Sequence, residues 1–175
     1  FPFGGLQEAA GFLRKLLHSK YYPASLELIN AGMAAQLKAT APLKAQYVAA
    51  VALDGIEEAV VRLKKDLSEM GRKEGASDAV VLAAEAHKDF WLAYRDIVDQ
   101  TAKTHSNAVS LKSNFALSQV VPMMSAFEAD MKEAGLDGAL FCRAGNGVLY
   151  AVFPLGDNPG AKTAVAAAMV GKLTA

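Results

Sequence analysis

Residues 140–154, LFCRAGNGVLYAVFP, consist of two apolar runs separated by Gly145-Asn146-Gly147. The Asn-Gly pair is favoured in type I′ turns because both residues accept positive φ, so the stretch predicts a β-hairpin with that turn. A phosphate-binding glycine loop is the alternative interpretation of the two glycines. It is disfavoured because a strand follows here, whereas a dinucleotide fingerprint needs the N-terminus of a helix aimed at the pyrophosphate.

The chain before and after the hairpin alternates between β-type and helical apolar patterns. Strands are predicted at 23–29, 46–53, 76–83 and 108–117. Helices are predicted at 6–18, 31–38, 56–70, 84–101, 120–134 and 160–175, with Asn30 capping the second and Pro122 early in the fifth. Long helices combined with a terminal hairpin predict an α+β fold, in which helices pack on one face of a mostly antiparallel sheet.

The composition indicates an ordered single domain and excludes several kinds of main partner. The 175 residues fit a single domain, and 53% of them are hydrophobic, which argues against disorder. The net charge is zero, so nucleic acid and anionic lipid are not expected as main partners. No apolar run has the roughly 18 residues of a membrane span. The single Cys142 excludes an internal disulfide, and a cytoplasmic location is expected.

Two cationic residues are candidates for binding an anion. In FWLAYRD, residues 90–96, Trp91 and Arg95 are spaced i and i+4 and share one helix face. Arg95 either extends over the edge of a core tryptophan or presents a fixed fork to a carboxylate. Lys112 lies in an apolar strand, where it either protects a sheet edge or provides a second anion anchor. His18, His87 and His105 lack metal-ligand spacing, so no metal site is predicted.

Several segments in order resemble one known family. The segments PASLELIN, FWLAYRD, SLKSNFALSQVVPMM and RAGNGVLYAVF are similar to the C-terminal domain of FAD-linked oxidases of the vanillyl-alcohol-oxidase superfamily. That resemblance implies a ferredoxin-like α+β cap over a flavin held by a separate N-terminal domain, which these 175 residues do not include. It also implies oxidation of a 2-hydroxy acid, with Arg95 and Lys112 binding the substrate. The chain is therefore expected to be an excised fragment that is inactive alone.

The hairpin departs from the family pattern H-[AV]-G-D-G-N-[LI]-H. Arg143 replaces the first histidine, Asn146 the aspartate, Val148 the asparagine and Tyr150 the last histidine. Arginine cannot act as a base at ordinary pH, and neither arginine nor tyrosine is a usual metal ligand. The degraded motif is similar to that of E-type glycolate oxidase subunits. The resemblance implies that Arg143, Asn146 and Tyr150 line the flavin-facing wall.

The preferred hypothesis is the substrate-side domain of an FAD-dependent enzyme that oxidises a small 2-hydroxy acid such as glycolate. The lost histidines favour an alternative, a non-catalytic domain that assembles with other oxidase subunits, including an iron–sulfur subunit. A third interpretation is a free-standing ferredoxin-like ligand-binding module, because that architecture supports many functions.

Overall fold

The computed structural model describes residues 1–155 and 159–171. Its strands are β1 (Pro2–Phe3), β2 (Ser25–Asn30), β3 (Tyr47–Ala52), β4 (Ala108–Asn114), β5 (Ala139–Arg143) and β6 (Val148–Pro154). Its helices are α1 (Leu6–Leu17), α2 (Ala31–Gln36), α3 (Glu57–Lys73), α4 (Ala84–Thr104), α5 (Leu117–Glu133) and α6 (Pro159–Gly171), with a 3-10 turn at Ala41–Leu43. Residues 172–175 of the predicted C-terminal helix lie outside the described residues.

The strands form one sheet in the order β1-β3-β2-β5-β6-β4, and every neighbouring pair is antiparallel. Strand β6 lies between β4 and β5, which are joined by α5. This arrangement is the split β-α-β unit of ferredoxin-like folds. The predicted α+β class and antiparallel sheet are therefore confirmed.

The helices cover both faces of the sheet, so the prediction of helices on one face is wrong. On the first face, the side chains of α1, α3, α5 and α6 join a core that includes Phe12, Leu67 and Phe127. On the second face, α2 and α4 form another core through residues such as Met33, Phe90 and Ile97. Both sides of the central strands are apolar, which stabilises a three-layer arrangement.

Two further sequence-based predictions are corrected. Residues 76–83 do not form a strand: Ser77 donates its backbone N–H to the Pro2 carbonyl at 2.9 Å, but proline has no N–H to return the bond. Helix α5 begins at Leu117, three residues before the predicted start, so Pro122 lies in the helix interior. The predicted Asn30 cap is confirmed, since its side chain accepts from the Met33 N–H at 2.9 Å.

Candidate functional site

Three of the residues that the sequence singled out meet on the second face of the sheet. Strand pairing places Tyr150 of β6 between Lys112 of β4 and Phe141 of β5. The Phe141 and Tyr150 rings are nearly parallel, with centroids 4.8 Å apart. The Lys112 Nζ lies 5.7 Å from the Tyr150 centroid and the Arg143 Cζ lies 5.9 Å from it. Two exposed cations therefore flank one aromatic ring, at distances typical of cation–π contact.

Asn146 lies in the turn that follows Arg143. Arg143 pairs with Val148, so the turn has four residues rather than two. Only Gly147 has positive φ in this turn, at 79°, so the predicted type I′ geometry is wrong. The backbone N–H groups of Asn146 and Gly147 both donate to the Arg143 carbonyl at 3.0 Å. The turn thus ties Asn146 to the end of β5, beside Arg143.

Glu27 is a buried acid next to one of these cations, Arg143. It lies on β2, directly opposite Arg143 of β5, and is only 4% exposed. Its carboxylate accepts hydrogen bonds from the Tyr94 hydroxyl at 2.6 Å and the Ser25 hydroxyl at 2.5 Å. Together with Lys112, Arg143 and Tyr150, it forms what we call the polar cluster. Two donors and a nearby positive charge compensate part of the cost of burying the acid.

Burial has the largest effect on the Glu27 carboxyl and raises its pKa above the ordinary value of 4.5. The hydrogen bonds from Ser25 and Tyr94 and the charge of Arg143 oppose this rise. The same burial, reinforced by the charge of Glu27, raises the pKa of the Tyr94 hydroxyl, which therefore stays a hydrogen-bond donor. Glu27 and Tyr94 thus form a coupled pair between β2 and α4.

The pH dependence of folding should report the raised pKa of Glu27. The folded state holds the Glu27 proton more readily than the unfolded state, so this group's contribution to stability falls as pH rises from 4.5 through the folded pKa. Glu27→Gln removes this dependence. We expect the free energy of unfolding of this variant, minus that of wild type, to be larger (more stabilising) at pH 7 than at pH 4, as measured by urea denaturation. The exposed Glu133→Gln is the control; an equal pH response in both variants would contradict the assignment.

An open cavity of about 440 Å³ lies beside the polar cluster. Glu27, Arg143 and Asn146 line one side of it, and the other side comes from the end of α1 and the segment before β2. Ligand pockets in proteins typically have 300–1,000 Å³, with a few polar groups in an apolar wall. The cavity brings together two predicted cofactor-lining residues, Arg143 and Asn146, and is large enough for a small molecule.

Arg95 is on α4 next to Tyr94, and its guanidinium is directed to a neighbouring acid. Its Nε and Nη2 atoms donate to the Asp96 carboxylate at 2.6 and 3.0 Å. The Arg95 side chain is 66% exposed. Any carboxylate ligand of Arg95 would compete with Asp96 for this planar fork. The contacts that join Lys112, Arg143 and Tyr150 do not include Arg95, whose role stays a prediction.

Sequence reasoning missed Glu27 and Tyr94. A signal for Glu27 was present, because a lone acid stands between Leu26 and Leu28 in an otherwise apolar strand. Buried acids are rare unless they are paired. Tyr94 is in the FWLAYRD segment, but only the fold shows that its hydroxyl reaches a carboxylate 67 residues away.

The part of the chain in residues 1–155 and 159–171 contains no group of three or more His, Cys, Asp or Glu residues arranged to hold a metal ion. None of its helices combines the length and apolar character needed to cross a membrane.

Comparisons with known proteins address the family. A family model described as "FAD linked oxidases, C-terminal domain" matches residues 1–174. Among solved structures, the chain is similar to alkyldihydroxyacetonephosphate synthase, with a TM-score of 0.58 and 14% identity. The match covers 98% of this chain and 38% of that one, so this chain spans well under half of its structural relative. At this identity the likeness concerns the fold alone. A sequence search of curated proteins found no match. The match of the family model over nearly the whole sequence shows that the chain belongs to the FAD-linked oxidases, as their C-terminal domain.

Proposed function

We propose that this domain forms the substrate side of a cytoplasmic FAD-dependent oxidoreductase that oxidises a small 2-hydroxy acid such as glycolate. The observation that carries the proposal is the pair of cations, Lys112 and Arg143, placed around the exposed side of Tyr150. Within this pair, Lys112 is suited to the substrate carboxylate, because it is positioned beside the ring before the anion arrives, and Arg143 is assigned to the flavin-facing wall.

The polar cluster also fits the neighbourhood of a flavin. Arg143 and Tyr150 present a charged group and an aromatic ring on one face of the sheet, and Asn146 adds an amide at the adjoining turn. We propose that these three residues line the flavin-facing wall, with most of the cofactor held by a separate FAD-binding domain. When bound, FAD would supply the hydride acceptor. The chain's own contribution is to bind and orient the acid.

Lys112 and Arg95 have distinct proposed roles in binding. Lys112 is exposed beside Tyr150 and would attract the substrate carboxylate as a point charge. Arg95 would exchange its bidentate contact with Asp96 for one with the carboxylate. Holding the acid at two points restricts its orientation, which is how binding groups of this type contribute to rate.

Substitutions in the full-length enzyme test this proposal. Lys112→Met and Arg95→Met should each lower kcat/KM for glycolate by about tenfold to a hundredfold, the range expected for losing a charge-assisted hydrogen bond. The exposed Lys65→Met and Arg72→Met on α3 are matched controls and should leave kcat/KM unchanged. Stopped-flow measurement of flavin reduction separates substrate binding from hydride transfer.

Unchanged flavin reduction in both variants would overturn the substrate-binding role. That result would favour a non-catalytic domain that assembles with other oxidase subunits, such as an iron–sulfur subunit. Arg143 and Tyr150 at the positions of the family's histidines are the sequence feature that favours this second function. Co-purification of the full-length protein with its partner subunits, compared between Arg143→Met and wild type, would then measure the assembly role directly.

A further inference from the structure

We propose that the outer edge of β4 pairs with the same edge of a second copy of this chain, so that one antiparallel sheet runs through both copies. The hydrogen-bonding groups, the charge and the register of β4 all fit a copy of the same strand. Such pairing goes beyond the proposed function and does not depend on it.

Strand β4 lies at one edge of the sheet, and within the described residues β6 is the only strand that pairs with it. Just past the end of β4, the Phe115 N–H donates to the Gly147 carbonyl at 2.8 Å, in the same register as the rest of the pair. Hydrogen-bonded positions alternate along an antiparallel strand, so the odd-numbered residues bond to β6. The even-numbered residues direct their N–H groups outward, and those without a bond to the described part of the chain are Ser110, Lys112 and Asn114.

The usual protections of a sheet edge are missing from β4. The strand contains no proline, and its pairing with β6 is continuous, without a bulge. Its lysine is turned away from the edge, because the Lys112 Nζ lies 5.7 Å from the ring centroid of Tyr150 on β6. At the opposite edge of the sheet, β1 contains Pro2, whose carbonyl accepts the Ser77 N–H. An unprotected edge such as that of β4 is a template for pairing with another chain.

The register of β4 against a copy of itself is limited by its donors and its charge. Two-fold pairing that brings outward groups together is centred on Ser110, Leu111 or Lys112. Centring on Ser110 places the Asn114 N–H opposite a residue outside the strand, and centring on Lys112 places two like charges directly opposite each other, which is destabilising. Centring on Leu111 gives every outward N–H a carbonyl partner and places Lys112 opposite Ser110 of the second copy.

The same register joins apolar side chains on the first face of the sheet. Leu111 of each copy lies opposite Leu111 of the other, with Val109 on the same face. Both side chains are half-buried and already pack against the core of that face. Pairing covers their remaining exposed surface and makes the two cores continuous, which favours association. The side chains of Ser110 and Asn114 stay on the second face, which is polar and exposed at this edge.

Sedimentation equilibrium of the full-length enzyme measures this pairing. Wild type should be dimeric, and Ser110→Pro should weaken dimerisation at least about tenfold, because each copy loses an outward N–H while its bonds to β6 remain. Ser110→Thr keeps the N–H and is the matched control, so its dimerisation constant should equal that of wild type. A monomeric wild type, or equal dimerisation constants for the two variants, would overturn the proposal.

Cysteine cross-linking tests the register without removing a backbone donor. Residues directly opposite each other at a non-hydrogen-bonded position have Cα atoms about 4.5 Å apart, which is within reach of a disulfide. Leu111→Cys should therefore yield a covalent dimer on mild oxidation, seen by non-reducing electrophoresis. Ser110→Cys is the control and should not cross-link beyond wild type, because the two Ser110 positions are offset by two residues. Native Cys142 is buried. Cross-linking of Ser110→Cys instead, or of neither variant, would contradict the assigned pairing.

Discussion

Replacing Gly147 with alanine should destabilise the protein by about 2–4 kcal/mol, a large effect for a single added methyl group. Gly147 has a φ of 79°, which L side chains rarely adopt, and an added Cβ would lie 2.1 Å from the Phe115 carbonyl oxygen. The Gly147 carbonyl also accepts the Phe115 N–H at 2.8 Å. The turn is therefore docked against the end of β4, and an alanine must separate them. Urea denaturation followed by circular dichroism measures the loss.

Gly145 provides a control within the same turn. A Cβ added at Gly145 would have no atom within 4 Å, and its φ is not positive. Gly145→Ala should therefore change stability by no more than about 0.5 kcal/mol. If both alanine variants lose the same stability, neither the positive φ nor the contact with Phe115 accounts for the effect of Gly147→Ala.

Phe12→Ala should have the largest effect on stability, a loss of about 3–5 kcal/mol. Phe12 is fully buried on α1, in the core on the first face of the sheet. Its ring centroid lies 4.8 Å from that of Phe1 and 5.8 Å from that of Phe3. Alanine leaves a cavity between the helix and β1 that the surrounding side chains cannot fill completely. Thermal and urea unfolding would both show the decrease.

Tyr22 is the aromatic control for this substitution. Its side chain is 90% exposed, so Tyr22→Ala removes little buried surface and should change stability by no more than about 0.5 kcal/mol. A comparable loss of stability for Tyr22→Ala would show that the burial of the ring does not determine the effect of Phe12→Ala.

The fold class could be predicted because the apolar periodicities are local properties of the chain. The second apolar run of the hairpin (β6) and the long helical pattern of α3 both appear in the structure, as does the Asn30 cap. The prediction failed at residues 76–83, where exposed Val80 and Val81 resemble strand residues. Strand formation needs a partner with free donors and acceptors, and Pro2 cannot provide the donor.

The placement of helices could not be predicted from periodicity. An amphipathic pattern shows that a helix buries one face, but it does not say which side of a sheet it covers. Phe90, Tyr94 and Ile97 have the spacing of any core helix, yet they pack on the second face rather than the first. The face of the sheet that a helix covers is decided by the connections between strands, which are non-local.

The candidate site also has one part that follows from the sequence and another that only the tertiary structure decides. The sequence by itself determined the α+β class and the hairpin. It also predicted Arg95 and Lys112 for the substrate and, through the family resemblance, Arg143, Asn146 and Tyr150 for the flavin-facing wall. Only the tertiary structure decided that Lys112 and Arg143 meet at Tyr150, and that Glu27, bonded to Tyr94, lies beside Arg143. Periodicity is carried by neighbouring residues along one strand or helix, whereas these contacts depend on the strand register and on α4 crossing the sheet.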